Sequence, residues 1–428
     1  MDVMSSSRAG LLWLRVVGAL AAVGAASFGA TGRADCLCGT AADGLAAERA
    51  GLDLEWLVQI PFNAATSTLE HVVIDRDLVV VQTGDGNVVA VQAGGPREGK
   101  PLPGTILWKH PIDAHAGPFQ PAAIGPDLVA VAHGDGIHAF DRATGQSRWS
   151  SRFPNLADGG AAISDGWVYT PFGDGKIMRL PTNPYRKPEA DATPAADAKK
   201  EQPAAKKPAG KKKGRTAPQQ VESLEPLVLE AGGIASLQPH PFQDGVLWCT
   251  DDGTLVVLDP SGDGWRRNEF FLDRLPAGRP LVHGGAIFAA TVEGDLMRID
   301  SLEEAAAGAL RLAWRVFLDA RPEGPLFASG ERLIVPLGDE GLAVYSTKTG
   351  DLEGRTHVCG RVMAVAAGRI WLVDRVGRLV SLDLETGELR DRFCLGGFTF
   401  PVVNQATDRL ILASPSGAIV SLKAHDAK

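Results

Sequence analysis

The feature that most restricts the fold is a repeat, most complete at Asp127–Trp149 (DLVAVAHGDGIHAFDRATGQSRW). Leu128–Ala132 is an apolar, β-branched run of strand character. Gly134-Asp135-Gly136 reads as a tight hairpin turn, since Asp-Gly accepts the positive φ pair of a type I′ loop. Ile137–Phe140 is the return strand. Asp141-Arg142-Ala143-Thr144-Gly145 is a second turn: Asp141 can accept from the turn's own N–H groups, and Gly145 can adopt the left-handed conformation. Trp149 follows on a third strand. One such unit cannot bury both faces of its sheet, whereas in a stack each unit covers the next.

The hairpin glycines Gly86, Gly136, Gly175, Gly253, Gly294, Gly341, Gly377 and Gly417 mark eight copies, mostly 36 to 50 residues apart. Each follows an apolar run (Leu78–Val81 in the first copy, Leu410–Ala413 in the last) and precedes another (Val88–Val91, Ile419–Leu422). That spacing suits a four-stranded propeller blade of roughly 40–50 residues. The expected fold is therefore all-β: an eight-bladed β-propeller of four-stranded antiparallel blades. The last copy ends near Leu422 without an outer strand, and Leu52–Pro61 has the pattern of an outer strand without a repeat before it. The N-terminal strand is expected to complete the eighth blade, which closes the ring and hides open sheet edges.

The pattern Ala139-x-Asp141-x-x-Thr144-Gly145-x-x-x-Trp149 resembles the tryptophan-docking motif of PQQ-like propeller repeats, found in quinoprotein dehydrogenases and in BamB-type scaffolds of outer-membrane assembly. The resemblance covers roughly Leu52 to Lys423. It implies that Trp149 packs between neighbouring blades and that the Asp–Thr–Gly turn joins third and outer strands. The match is full in blade 2 alone. Blade 7 keeps Asp383, Thr386 and Gly387 but has Asp391 in place of the Trp, and blade 6 keeps Thr349 and Gly350 with Ser346 and Gly354. Blades 1 and 5 reach Trp108 and Trp314 after longer turns.

Outside the repeats the chain changes character. Residues 1–34 read as a secretory signal: Arg8 and Arg15 precede the apolar Val16–Ala30, with small residues at a cleavage site. An uncleaved anchor is the alternative, although Arg15 leaves the apolar run short of the roughly 20 residues of a membrane span. A lipoprotein fits less well, because Asp35 precedes Cys36 where a small residue is needed. Residues 35–51 form a flexible segment with Cys36 and Cys38, and 52–428 carry the propeller. Within blade 3, residues 182–225 are a Lys/Pro/Ala-rich insertion expected to be disordered. From Arg186 to Arg215 there are ten Lys and Arg against four Asp and Glu, so the rest of the chain carries −14 of a net −8. That acidity excludes nucleic acid as a general partner. The insertion reads as a tolerated loop or as a basic arm for an anionic surface.

The residues give little sign of catalysis. The nine histidines are scattered, and no Ser–His–Asp, HExxH or P-loop signature is present. Asp135, Asp174 and Asp252 recur at the hairpin turn, which argues for turn chemistry. Cys359 and Cys394 hold like positions in adjacent blades, and a bridge between them is one reading. A quinoprotein dehydrogenase, as the resemblance implies, would need PQQ, a calcium ion held by carboxylate and amide oxygens, a basic residue and commonly a vicinal Cys–Cys ring. The chain has no adjacent cysteines, and Asn404 is the one asparagine placed on an inner strand. No cofactor and no metal site are expected. The reading is an exported, monomeric, non-catalytic propeller that binds a protein partner in the periplasm or envelope. The alternatives are a PQQ/calcium dehydrogenase and a small-ligand binder. Candidate interaction loops are His110–Pro121 and Gln238–Gln243, with His115, Phe119, His240 and Phe242.

Overall fold

The structure is a computed structural model that describes residues 47–48, 51–94, 101–112, 117–183, 227–261, 264–302 and 309–424. Cys36, Cys38, His115 and the residues from Pro184 to Pro226 lie outside the described residues. Eight antiparallel sheets follow one another along the chain, seven of them with four strands in sequential order. Blade 1 is Leu69–Asp75, Leu78–Thr83, Asn87–Gln92 and Ile106–Pro111, from the inner strand outward. Blade 2 is Ala123–Ile124, Leu128–His133, Gly136–Asp141 and Ser147–Arg152. The apolar runs of the repeat are the second and third strands, and nearly every residue in them is buried, as befits strands covered on both faces.

Blade 3 holds Ala162–Ser164, Trp167–Phe172, Lys176–Pro181 and Leu227–Glu230, the last pairing with the third strand across Lys176↔Glu230 to Arg179↔Leu227. Blade 4 is His240–Phe242, Gly245–Cys249, Thr254–Ser261 and Gly264–Phe271, and blade 5 is Leu281–His283, Ala286–Ala290, Asp295–Ser301 and Leu310–Phe317. Blade 6 runs Phe327–Ser329, Arg332–Pro336, Leu342–Ser346 and Leu352–Thr356, and blade 7 Gly360–Ala366, Arg369–Asp374, Arg378–Asp383 and Leu389–Cys394.

The eighth sheet closes the ring. Its outer strand is Leu52–Gln59, paired antiparallel with Ala418–Ala424 from Leu52↔Ala424 to Gln59↔Ala418. Arg409 holds the two ends together: Nε and Nη2 donate to the Glu55 carboxylate at 2.7 and 2.9 Å, and Ser421 Oγ adds a bond of 3.0 Å. This sheet has three regular strands rather than four. Its inner position is irregular backbone, bridged at Phe400↔Ala413 and Ala364↔Asn404. Pro401 lacks a ladder donor there, and the Asn404 Oδ1 accepts from the Ala406 and Thr407 N–H groups in a turn of its own.

Antiparallel order sets two faces. Hairpin turns between second and third strands share one face with the loops that lead to the next inner strand. Turns between third and outer strands lie on the other. In seven of the eight hairpins the predicted glycine carries positive φ, from +74° at Gly175 to +100° at Gly294. Blade 2 differs. His133 pairs with Gly136, the loop is Gly134-Asp135, and the positive φ of +44° falls on Gly134. Gly136 is the first residue of the strand. A loop with glycine first and a negative φ second follows the II′ pattern, not the I′ pattern expected from Asp-Gly.

Candidate functional site

The docking motif is built from the tryptophan outward. Trp149 is buried, and its Nε1–H donates to the Thr182 carbonyl of blade 3 at 3.3 Å. Trp108 donates to Arg142 O of blade 2 at 2.8 Å, Trp314 to Thr347 O of blade 6 at 3.1 Å, and Trp56 to Ala93 O of blade 1 at 3.3 Å. In all four cases the acceptor is the residue just after the next blade's third strand. The N–H of each acceptor residue is bonded back to the preceding turn, to Asp77, Asp127, Gly166 or Glu331 O, which fixes its carbonyl toward the ring. The turn beneath is held by its own carboxylate. Asp141 Oδ1 accepts from the Ala143 and Thr144 N–H groups at 3.1 and 2.9 Å, and Oδ2 accepts from Arg148 at 2.7 Å. The Arg148 guanidinium, together with those turn donors, holds the Asp141 carboxyl down at a pKa of about 2. Asp383 repeats the arrangement with Glu385, Thr386 and Arg390, and its carboxyl is likewise lowered.

The hairpin acids are also engaged locally. Asp252 Oδ1 accepts from Thr250 Oγ1 at 2.5 Å and Thr254 N at 2.9 Å, and Asp174 pairs with Lys176 at 2.7 Å. Among the described residues no group of three His, Cys, Asp or Glu converges as a metal site. Asn404 is buried and fully used, its Nδ2 donating to Thr407 Oγ1 and Arg409 O. Cys249 and Cys359 are free thiols, so the Cys359–Cys394 bridge weighed above is not formed; Cys394 is disulfide-bonded elsewhere. The Cys359 sulfur instead faces the Asp339 and His357 carbonyls.

The two candidate loops fare differently. Phe119 is half-buried, 6.1 Å from the His133 ring, and its carbonyl meets His71 Nε2 at 2.9 Å. Phe242 is no rim aromatic: it is 1 % exposed and packs with Leu247, Leu255 and Leu272. The reason is that residues 240–242 form the inner strand of blade 4 rather than a loop. His240 belongs to the same strand, its Nδ1–H donating to Pro241 O at 2.7 Å, and burial beside Arg279 pushes its pKa down to about 4.

A cavity of about 590 Å³ opens on the hairpin face across blades 6 to 8. Its floor is apolar: Val362, Met363, Leu395 and Leu412 are buried, and Phe398 and Phe400 pack half-exposed beside them. Glu323, Asp339, Asp374, Arg361 and Arg375 line its rim. Arg375 pairs with Asp339 and Arg378 with Asp374, whereas Arg361 has no ion-pair partner among the described residues. On the opposite face a cavity of about 810 Å³ is lined by ion pairs, Arg142 with Asp75 and Asp77 and Arg409 with Asp408.

These cavity residues were not singled out from sequence. A signal for the channel mouth was present: an X-Pro pair precedes four inner strands, at Gln120-Pro121, Gln238-Pro239, Arg279-Pro280 and Gly324-Pro325, and Phe400-Pro401 stands at the irregular inner position of blade 8. Proline fixes φ and withholds a donor at the strand's first residue. The residue before it is then turned toward the neighbouring blade. Gln120 Nε2 reaches Ala157 O of the loop to blade 3 at 3.2 Å, and Gln238 Nε2 reaches Ala161 O at 2.7 Å.

The chain was compared with known proteins. No protein-family model matches the sequence, and no curated protein matches it. Solved structures do. BamB from Moraxella catarrhalis superposes with a TM-score of 0.57 at 16% identity, over 86% of this chain and 98% of that one. Sqt1 from Saccharomyces cerevisiae gives 0.57 at 11%, over 86% and 98%, and the computationally designed Ika8 protein 0.56 at 13%, over 85% and 98%. The likeness is one of fold. The chain is an eight-bladed β-propeller with the architecture seen in BamB.

Proposed function

We propose that the chain is an exported, non-catalytic scaffold that binds a protein partner in the cell envelope through its hairpin face, a role of the BamB type. The observation that carries the reading is the cavity of blades 6 to 8. It combines an apolar floor, two half-exposed phenylalanines and an Arg361 without an ion-pair partner among the described residues, the composition of an interface core with a polar rim. The N-terminal pattern of Arg8, Arg15 and the apolar Val16–Ala30 supports export, and the Lys-rich insertion supplies a basic arm for an anionic envelope surface. Propeller function resides in such loops rather than in the blades.

The test is photo-crosslinking in intact cells. A crosslinker at Phe398 or Arg361 should capture one envelope protein, and one at Glu331, on the opposite face, should not. Equal capture from both faces, or recovery of the chain from the cytoplasm, would refute the scaffold reading. In parallel, purified protein titrated with PQQ and Ca²⁺ should show no saturable binding. Turnover of an artificial electron acceptor would replace the scaffold with a dehydrogenase.

A further inference from the structure

Arg279 stands at the mouth of the channel, one residue before Pro280 and two before the inner strand of blade 5. Its guanidinium reaches back to blade 4, where Nη2 donates to Pro239 O at 2.9 Å and Nη1 to Gln238 Oε1 at 3.4 Å. Both acceptors are neutral. Nε is buried and has no acceptor. No carboxylate pairs with Arg279 among the described residues, in contrast to Arg142, Arg148, Arg298, Arg355 and Arg409, each of which has one. Desolvation, unopposed by any acid, lowers the Arg279 pKa to about 10. A guanidinium drawn out of water without a counter-ion is costly, and an anion is the group that would complete it.

The surroundings are built to hold this position. Gln238 Nε2 is tied to Ala161 O at 2.7 Å, which fixes Oε1 toward Arg279. Gly160 leaves room for that amide, since a Cβ there would lie 2.9 Å from Gln238 Cδ. His240 adjoins the guanidinium and is neutral at pH 7, so the site carries a single positive charge. The residue is half-buried rather than sealed, so part of its side chain meets solvent although Nε does not.

We propose that Arg279, flanked by His240 and Gln238, is a carboxylate-binding site at the channel mouth. The planar fork suits a carboxylate's two oxygens. A dianionic phosphate would meet only one charge within a chain of net −8. The site stands independently of the envelope role proposed above.

The test follows the side-chain Nε–H resonance of Arg279 by NMR in the intact protein, assigned through its loss in Arg279→Lys. Acetate, phosphate and chloride are titrated at pH 7 and constant ionic strength. A saturable shift with acetate, at least tenfold tighter than with chloride or phosphate, is expected. Acetate should also raise the Tm of the wild type, with at least tenfold weaker affinity in Arg279→Lys and no saturable effect in Arg279→Gln. A peptide with a free terminal carboxylate is compared with its amide. Preference for the free peptide over acetate assigns the carboxylate to a protein partner, and equal binding assigns it to a small molecule. A response linear in every anion, phosphate binding as tight as acetate, or unchanged affinity in Arg279→Lys would overturn the proposal; the lysine variant decides the matter if Arg279→Gln does not fold.

Discussion

Two glycines offer a matched pair for the docking geometry. Gly145 and Gly387 occupy the same turn in blades 2 and 7, with φ of +68° and +69°. A Cβ on Gly145 would lie 2.5 Å from Trp108 Cδ2, whereas one on Gly387 meets nothing nearer than Thr356 Cβ at 3.7 Å. The difference arises because blade 6 has Gly354 at the position of Trp108. Gly387→Ala should therefore cost only the left-handed backbone penalty, about 1 kcal/mol. Gly145→Ala adds the overpacking of a buried indole, a further 1–3 kcal/mol or so. Urea unfolding at unchanged m should show the larger midpoint shift for Gly145→Ala. In a Trp108→Ala background the cost of Gly145→Ala should fall to the Gly387→Ala level. Equal costs for the two alanines in the wild-type background would mean that the indole does not require the glycine.

Four further outcomes follow from the same structure. Gly354→Trp should dock on the Gly387 turn, since a Cβ at Gly354 meets nothing within 4 Å, and should stabilise by about 1 kcal/mol in urea. Glu55→Ala strips the half-buried Arg409 of its main partner, with Asp408 still 3.7 Å away; a loss of about 2 kcal/mol and early proteolysis within 52–59 are expected. Cys359 should react with an alkylating reagent in the folded protein while Cys249, buried with its thiol pushed up to about 12, should react only on unfolding, as mass spectrometry would show. His138 is pushed down to about 4 by burial and by His133, His110 and Arg152, so the folded state resists the proton that the unfolded chain accepts near 6.5. Stability should fall by up to about 1 kcal/mol per pH unit between pH 6.5 and 4 on this account, and His138→Asn should flatten the slope.

The blades were legible because their signal is local. A run such as Leu128–Ala132 followed within a few residues by Ile137–Phe140 can pair only as a hairpin, and repetition fixes the stacking. Ring closure was legible by subtraction, from one unpaired strand at each end. What escaped the sequence was contact between residues far apart. Trp56 docks on the turn at Gly104, and Arg409 binds Glu55 across 354 positions, with no spacing rule to announce either. Phe242 was misplaced because a three-residue inner strand between Pro239 and Gly245 has the composition of a loop. The Gly134 turn was misread because Gly-Asp-Gly offers two registers, and only the pairing of His133 with Gly136 chooses between them.

The docking tryptophans are unevenly spread around the ring. An outer-strand indole closes junctions 8–1, 1–2, 2–3 and 5–6, and at junction 3–4 the Trp248 indole of blade 4 donates to Ala231 O at 3.0 Å. Arginines reach across other gaps: Arg267 to Glu230 and Ala231 O between blades 3 and 4, Arg279 to Pro239 O between 4 and 5, and Arg332 to Glu385 between 6 and 7. An indole seals a junction with apolar area and one fixed hydrogen bond, while a guanidinium spans the same gap and keeps donors to spare. On the hairpin face Arg279 and Arg361, neither with an ion-pair partner among the described residues, stand at the inner strands of blades 5 and 7. Both keep donors that no carboxylate among the described residues takes, which leaves them available to a ligand.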